Sequence, residues 1–160
     1  MYNYFLFHMM PKEYWKKPPR IKVLEALGCI ADGRIKFISD KVAQVTSSTG
    51  ERVYDVKWDG ERRIFSNDNG SIYRGYLGYP SIAFLMVKGV LPFDERLAEA
   101  LRGIPWKILN EKYKRYFIVE KIVKSKVKKK GISEEYVDKF IEHVLEKITE
   151  LKLLKYVEES

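Results

Sequence analysis

The chain has 160 residues, which is enough for one ordinary domain or for a small domain with a helical appendage. Apolar residues make up 46% and charged residues 32%, with a formal net charge of +8, so a real core can be buried beneath a strongly basic surface. The single cysteine, Cys29, excludes a disulfide framework or a thiolate metal site within the chain, and no apolar run approaches the ~20 residues that a membrane span needs.

The lone thiol fits a reducing, cytoplasmic setting. Gln44 is the one glutamine, Asn and His are few, and Lys and Glu are abundant, which is the bias reported for heat-adapted proteins. The charge is uneven. Residues 107–130 hold 10 Lys or Arg against 2 Asp or Glu, whereas residues 131–160 hold 4 against 8. A basic block therefore lies between a mixed body and an acidic tail, which bears on partners rather than on fold.

The start, MYNYFLFH, is apolar but has no basic lead and no small-residue cleavage site, so it does not read as a secretory signal. Two readings of it stand: a true start near Met9-Met10, or an ordered edge strand or docked arm. Residues 1–20 are read as an N-terminal arm that ends in Pro18-Pro19, where helix cannot run through. A helix follows, with Ile21, Leu24, Leu27 and Ile30 at helical spacing and Gly33 as its stop.

Four short runs rich in Val, Ile, Tyr, Phe and Trp come next: RIKFIS, KVAQVTSS, ERVYDVKW and ERRIFS. Asp59-Gly60 between the last two predicts a hairpin with a type I′ turn. Tyr54, Val56 and Trp58 share one face of the third run, and Val53, Asp55 and Lys57 share the other, as in a sheet covered on one side. A polar, glycine-rich loop then leads through Gly78-Tyr79-Pro80-Ser81 into a buried helix ending near Val90-Pro92. Asp94 is placed to cap the next helix, with the stripe Leu97, Ala98 and Leu101. Residues 105–131 predict one or two helices that stop at Gly131, with Phe117, Ile118, Ile122 and Val123 expected in the core. Ser133 caps a last helix whose apolar positions are Val137, Ile141, Val144, Ile148 and Leu151, a seam of about two heptads. That seam either packs on its own domain or pairs with a partner or a second copy through residues 133–157. The fold class is α+β: helix, antiparallel meander of about four strands, helix, then a C-terminal helical part. The boundaries are 21–92 and 93–160.

Within 21–87 the order is helix, hairpin, loop and helix, with Tyr54-Asp55-Val56-Lys57-Trp58-Asp59-Gly60 in the hairpin. The stretch resembles the SWIM-type zinc finger, which carries Cys-x-Cys after its hairpin and Cys-x-His at the start of an apolar helix. Here Ser66, Asp68, Tyr79 and Ser81 stand at the four ligand positions. One carboxylate and three hydroxyls are not a zinc site, so the resemblance is to a member without its metal. The loop must then be held otherwise. Asp68 and Asn69 can bond its backbone, Tyr73, Tyr76 and Tyr79 can bury their rings, and Gly70, Gly75 and Gly78 admit conformations other residues resist. Gly75-x-x-Gly78 ahead of a helix suits an anion, and Arg74 can meet a phosphate, but the pattern is neither a dinucleotide fingerprint nor a P-loop.

His8, His143 and Cys29 cannot be argued into one site, so the chain is read as no enzyme, with no cofactor implied. The basic block interleaves Lys107, Lys112, Lys114, Arg115, Lys121, Lys124, Lys126, Lys128, Lys129 and Lys130 with Tyr113, Tyr116 and Phe117. Cations supply phosphate contacts and rings can stack on bases, so the expected function is a non-catalytic nucleic-acid-associated module, with DNA or RNA as partner and no membrane. The resemblance points the same way, since SWIM domains are generally thought to contact DNA or protein. The alternatives are a solvated lysine-rich face, or a protein-interaction module built on the last helix.

Overall fold

Pro18 and Pro19 hold the lead-in extended, and the chain turns at Arg20 into helix α1 (Ile21–Ala31). The structure, a computed structural model, describes residues 12–156. MYNYFLFH, with His8 and Met9-Met10, lies outside the described residues, as does the end of the 133–157 segment. Nearly every residue of α1 is buried, and Gly33 ends it at φ +67, a conformation glycine adopts without penalty.

The β-branched and aromatic runs form β1 (Ile35–Ser39), β2 (Val42–Thr46), β3 (Val53–Trp58) and β4 (Arg63–Ser66), an antiparallel meander in sequence order. The register sets Val45 opposite Tyr54, Ala43 opposite Val56 and Trp58 opposite Ile64. Ala43, Val45, Val56 and Ile64 are fully buried, while Lys36, Gln44 and Val53 face out, so one side is covered. The predicted hairpin is present, but its type I′ turn is not. Only Gly60 has positive φ, the connection is residues 59–62, and Asp59 Oδ1 closes it by accepting from the N–H groups of Glu61 (2.8 Å) and Arg63 (3.0 Å). The aspartate thus acts through its side chain rather than its backbone.

After one turn of π-helix (Gly70–Arg74), α2 (Tyr79–Val87) runs beneath the sheet. Residues 80–86 are apolar or small and buried on all sides, by α1 and by β1, β3 and β4, and only Val87 at the end of the helix is exposed. Phe84 carries the contact, with the rings of Phe37 and Trp58 centred 4.9 and 6.0 Å from its own. The remaining helices are α3 (Glu95–Ala100), α4 (Trp106–Tyr113), α5 (Tyr116–Lys129) and α6 (Glu134–Leu151). Asp94 and Ser133 cap α3 and α6 as expected, accepting from Leu97 N–H (2.8 Å) and Tyr136 N–H (3.1 Å). Val137, Ile141, Val144 and Ile148 are buried, so the seam of α6 is spent on the protein's own core. In α5 the buried row is Val119, Val123 and Val127; Phe117, expected in the core, is 60% exposed. One apolar cluster runs from Ile21 to Leu153 and joins both parts of the chain.

Lys152, at φ +47, reverses the chain after α6, and β5 (Leu154–Lys155) adds to the sheet parallel to β4. The lead-in closes on the same edge. Trp15 N–H donates to Leu153 O (3.0 Å) and its indole donates to Ile64 O (2.9 Å).

Candidate functional site

The loop after β4 is organised by one carboxylate. Asp68 Oδ1 accepts from the hydroxyls of Ser66 and Ser71, each at 2.6 Å, and Oδ2 accepts from Ser71 N–H at 3.2 Å. All three residues are buried. Gly78 packs directly on the carboxylate: a Cβ there would lie 2.7 Å from Asp68 Cγ and nearer still to Oδ2. Gly70 lies as close against the Tyr76 ring, and Gly75 closes the π-turn at φ +73. Ser66 and Asp68, two of the four residues set at ligand positions by the resemblance, are therefore bonded to each other. Tyr79 stands apart from that hub, its ring under the Arg34 guanidinium (5.8 Å) and edge-on to Tyr54 (6.5 Å). Ser81 is buried with an unpartnered Oγ. Asn69 caps nothing; Asn67 instead accepts from Asp55 N–H at 2.8 Å. Tyr73, expected to bury its ring, is 79% exposed.

Beside this loop opens a cleft of about 830 Å³. Its walls come from five segments: α1 (Lys22, Glu25), the strand ends near Arg34, Arg52 and Tyr54, the π-turn (Tyr73, Arg74) with Tyr76 and Tyr79, α4 (Trp106, Lys107, Asn110), and the corner at Lys114 and Tyr116. Lys114 adopts φ +58, uncommon for a side chain of its size, and this left-handed residue turns α4 into α5. The corner swings Lys114 and Tyr116 onto the cleft. Lys107 ties α4 to the β2–β3 connection through Ser48 Oγ (3.2 Å) and Glu51 (3.1 Å).

Buried polar groups form one wall. Glu25, 3% exposed, accepts from Lys22 Nζ (2.8 Å) and from Asn110 Nδ2 (2.7 Å). Lys22 Nζ also sits 4.9 Å from the centre of the Tyr116 ring, and Tyr76 lines the same wall. Burial alone would lower the Lys22 ammonium; Glu25, with Tyr76 and Tyr116, outweighs it and holds the ammonium well above its ordinary value. Burial pushes the Tyr76 and Tyr79 phenols up, against the opposing pull of Lys22 and Arg34, so both stay protonated. A buried ion pair is costly to desolvate and so is weak evidence for stability, and perturbed groups lining a cleft make it a candidate functional site.

The residues read as nucleic-acid contacts divide three ways. Arg74, Lys107 and Lys114 line the cleft. Lys124 and Lys130 are taken up internally: Lys124 bonds Asp138 (2.7 Å) and lies 3.5 Å from Glu120, and Lys130 donates to Ala100 O (2.9 Å). Lys112, Arg115, Lys121, Lys126, Lys128 and Lys129 are exposed on α4, the corner and α5, with Lys112 resting on the Tyr113 ring (5.3 Å). Lys22, Glu25, Arg34, Arg52 and Asn110 were not read as site residues. Lys22 and Glu25 carried a legible signal, as the only charged pair in the otherwise apolar helix IKVLEALGCIA. Among the described residues, no three His, Cys, Asp or Glu side chains gather as a metal site, and no helix is long and apolar enough to cross a membrane.

A family model described as "Uncharacterised conserved protein UCP014422" matches residues 15–154, and the chain belongs to that family. No curated protein and no solved structure matches the chain. The matched span takes in every element around the cleft, and it carries no indication of a SWIM-type domain.

Proposed function

We propose that this protein is a non-catalytic nucleic-acid-associated module that binds the phosphate backbone at the cationic, tyrosine-lined cleft, and not through the whole of the 107–130 segment. One observation carries the reading. Arg52, Arg74 and Lys114 are exposed at the cleft, and among the described residues no ion pair engages them, while five tyrosines line the same cleft. Elsewhere on the cleft Lys22 is matched by Glu25, Arg34 by Asp32 and Lys107 by Glu51, while Glu111 adds one exposed carboxylate that no ion pair engages among the described residues, so the unmatched exposed charge is cationic by three to one. Unmatched cations beside aromatic faces suit a ligand that brings phosphates and planar rings together. Arg115 and Lys121, exposed just beyond the corner, extend the track; Lys124 and Lys130 do not belong to it.

The test is an anisotropy titration of labelled oligonucleotides at several salt concentrations. Replacing Arg52, Arg74 and Lys114 together by Ala should weaken binding at least tenfold and lower the log–log salt slope by about 2, at ~0.7 per phosphate contact. Replacing Lys126, Lys128 and Lys129 should do markedly less. Unchanged affinity and slope in the cleft variant would refute the assignment.

A further inference from the structure

Resting on that phosphate-binding reading, we infer that the ligand of the cleft is a single-stranded polynucleotide, its bases unstacked onto Tyr73 and Tyr116. The cations line a concavity of about 830 Å³ rather than a broad face, and a duplex, with its bases stacked inside and its phosphates on a convex rod, can meet only the rim. Tyr73 is 79% exposed and Tyr116 41% exposed, and both stand on the cleft. Tyr73 rides on a π-turn fixed by the Asp68 hub, so its ring is presented without a packing partner on an ordered support. Rings in that state are stacking platforms, and any base can use them.

The experiment compares labelled single strands of about 12 nucleotides, DNA and RNA in separate arms, with a duplex of equal length, using the full chain and Tyr73→Ala and Tyr73→Phe variants. Single strands are expected to bind at least tenfold tighter than duplex at near-physiological salt. Tyr73→Ala should weaken single-strand binding about tenfold without changing its salt slope, and Tyr73→Phe should restore it. Tyr73 is exposed, so folding is not at risk, and Ile38→Ala, an exposed residue on β1, is the control. Duplex bound as tightly as single strand, or Tyr73→Ala binding as wild type, would overturn this inference and leave the phosphate-binding reading standing. Binding of neither at low salt would overturn both.

Discussion

The Asp68 hub can be tested without any ligand, because Gly78 and Asp68 make a closed pair. Asp68→Ala removes three bonds to an ionised acceptor and leaves two buried hydroxyls, Ser66 and Ser71, without their partner. Hydrogen bonds to charged groups contribute about 1.5–3 kcal/mol each, and release of a desolvated carboxylate offsets part of the loss, so the net destabilisation should be about 3 kcal/mol. Gly78→Ala acts on the same spot from the other side. Gly78 has φ −75, which alanine adopts freely, so the cost is steric: the new methyl would sit 2.7 Å from Asp68 Cγ and Oδ1. The carboxylate must move off its serines, costing about 2 kcal/mol. In the Asp68→Ala background that obstruction is gone, and adding Gly78→Ala should cost only the difference between Gly and Ala at a helix N-cap, about 0.5–1 kcal/mol, which is present in both backgrounds and cancels from the coupling. Urea unfolding of the four proteins, followed by tryptophan fluorescence, gives the cycle directly, and the coupling should be close to 2 kcal/mol. A Gly78→Ala protein within about 0.5 kcal/mol of wild type, or additive effects in the double variant, would refute the hub.

Two further outcomes follow from charges placed elsewhere. The buried Cys29 thiol is pushed up to about 12 by burial, against the pull of Arg34, while the unfolded chain loses that proton near about 8.5. Between those values the unfolded state binds fewer protons, so stability is intact below about pH 8.5 and falls as pH rises, by roughly 1–2 kcal/mol at pH 10. Urea unfolding from pH 7 to 10 should show that decline, and Cys29→Ala should flatten it; an equal slope in the variant would exclude the thiol as its source. Arg20 links the start of α1 to α5 and α6 through Glu120 (3.1 Å) and Asp138 (2.7 Å). Its side chain is 37% exposed, so Arg20→Ala should cost no more than about 1 kcal/mol, and thermal melts in about 0.5 M salt should narrow the gap.

The elements legible in the sequence are those with local causes. The α1 periodicity, the strand alternation around Val56 and the caps Asp94 and Ser133 each depend on neighbours within one turn or one hairpin. What escaped reading is what pairs at a distance. β5 is two residues long, and its partner Arg63 lies across nearly the whole helical part, so no periodicity marks it. Phe117 and Tyr73 are apolar by composition, yet whether such a ring is buried depends on which side of α5 or of the π-turn meets the core. The cleft escaped for the same reason. Its charges come from segments as far apart as Lys22 and Lys114, whereas a count of lysines along the chain is drawn to 107–130. Charge density could not separate Lys124, held by Asp138 and Glu120, from Lys114, which no ion pair engages among the described residues.

The hub supplies only three hydrogen bonds to the loop, a few kcal/mol at most. They suffice here only because both ends of the loop are already held: Ser66 belongs to β4, paired with Val56, and Gly78 opens α2, the most enclosed helix of the core. The sheet and α2 set the separation of the loop ends, and Asp68 selects one conformation between them. The Gly70–Tyr76 contact fixes the far side of the π-turn. Tyr73 and Arg74 thus project from a segment clamped on both sides, and little conformational entropy is left to lose when a ligand meets them. Weakening the hub should therefore loosen the platform before it unfolds the protein, with hydrogen exchange at Ser71 and Ile72 rising ahead of exchange in α2.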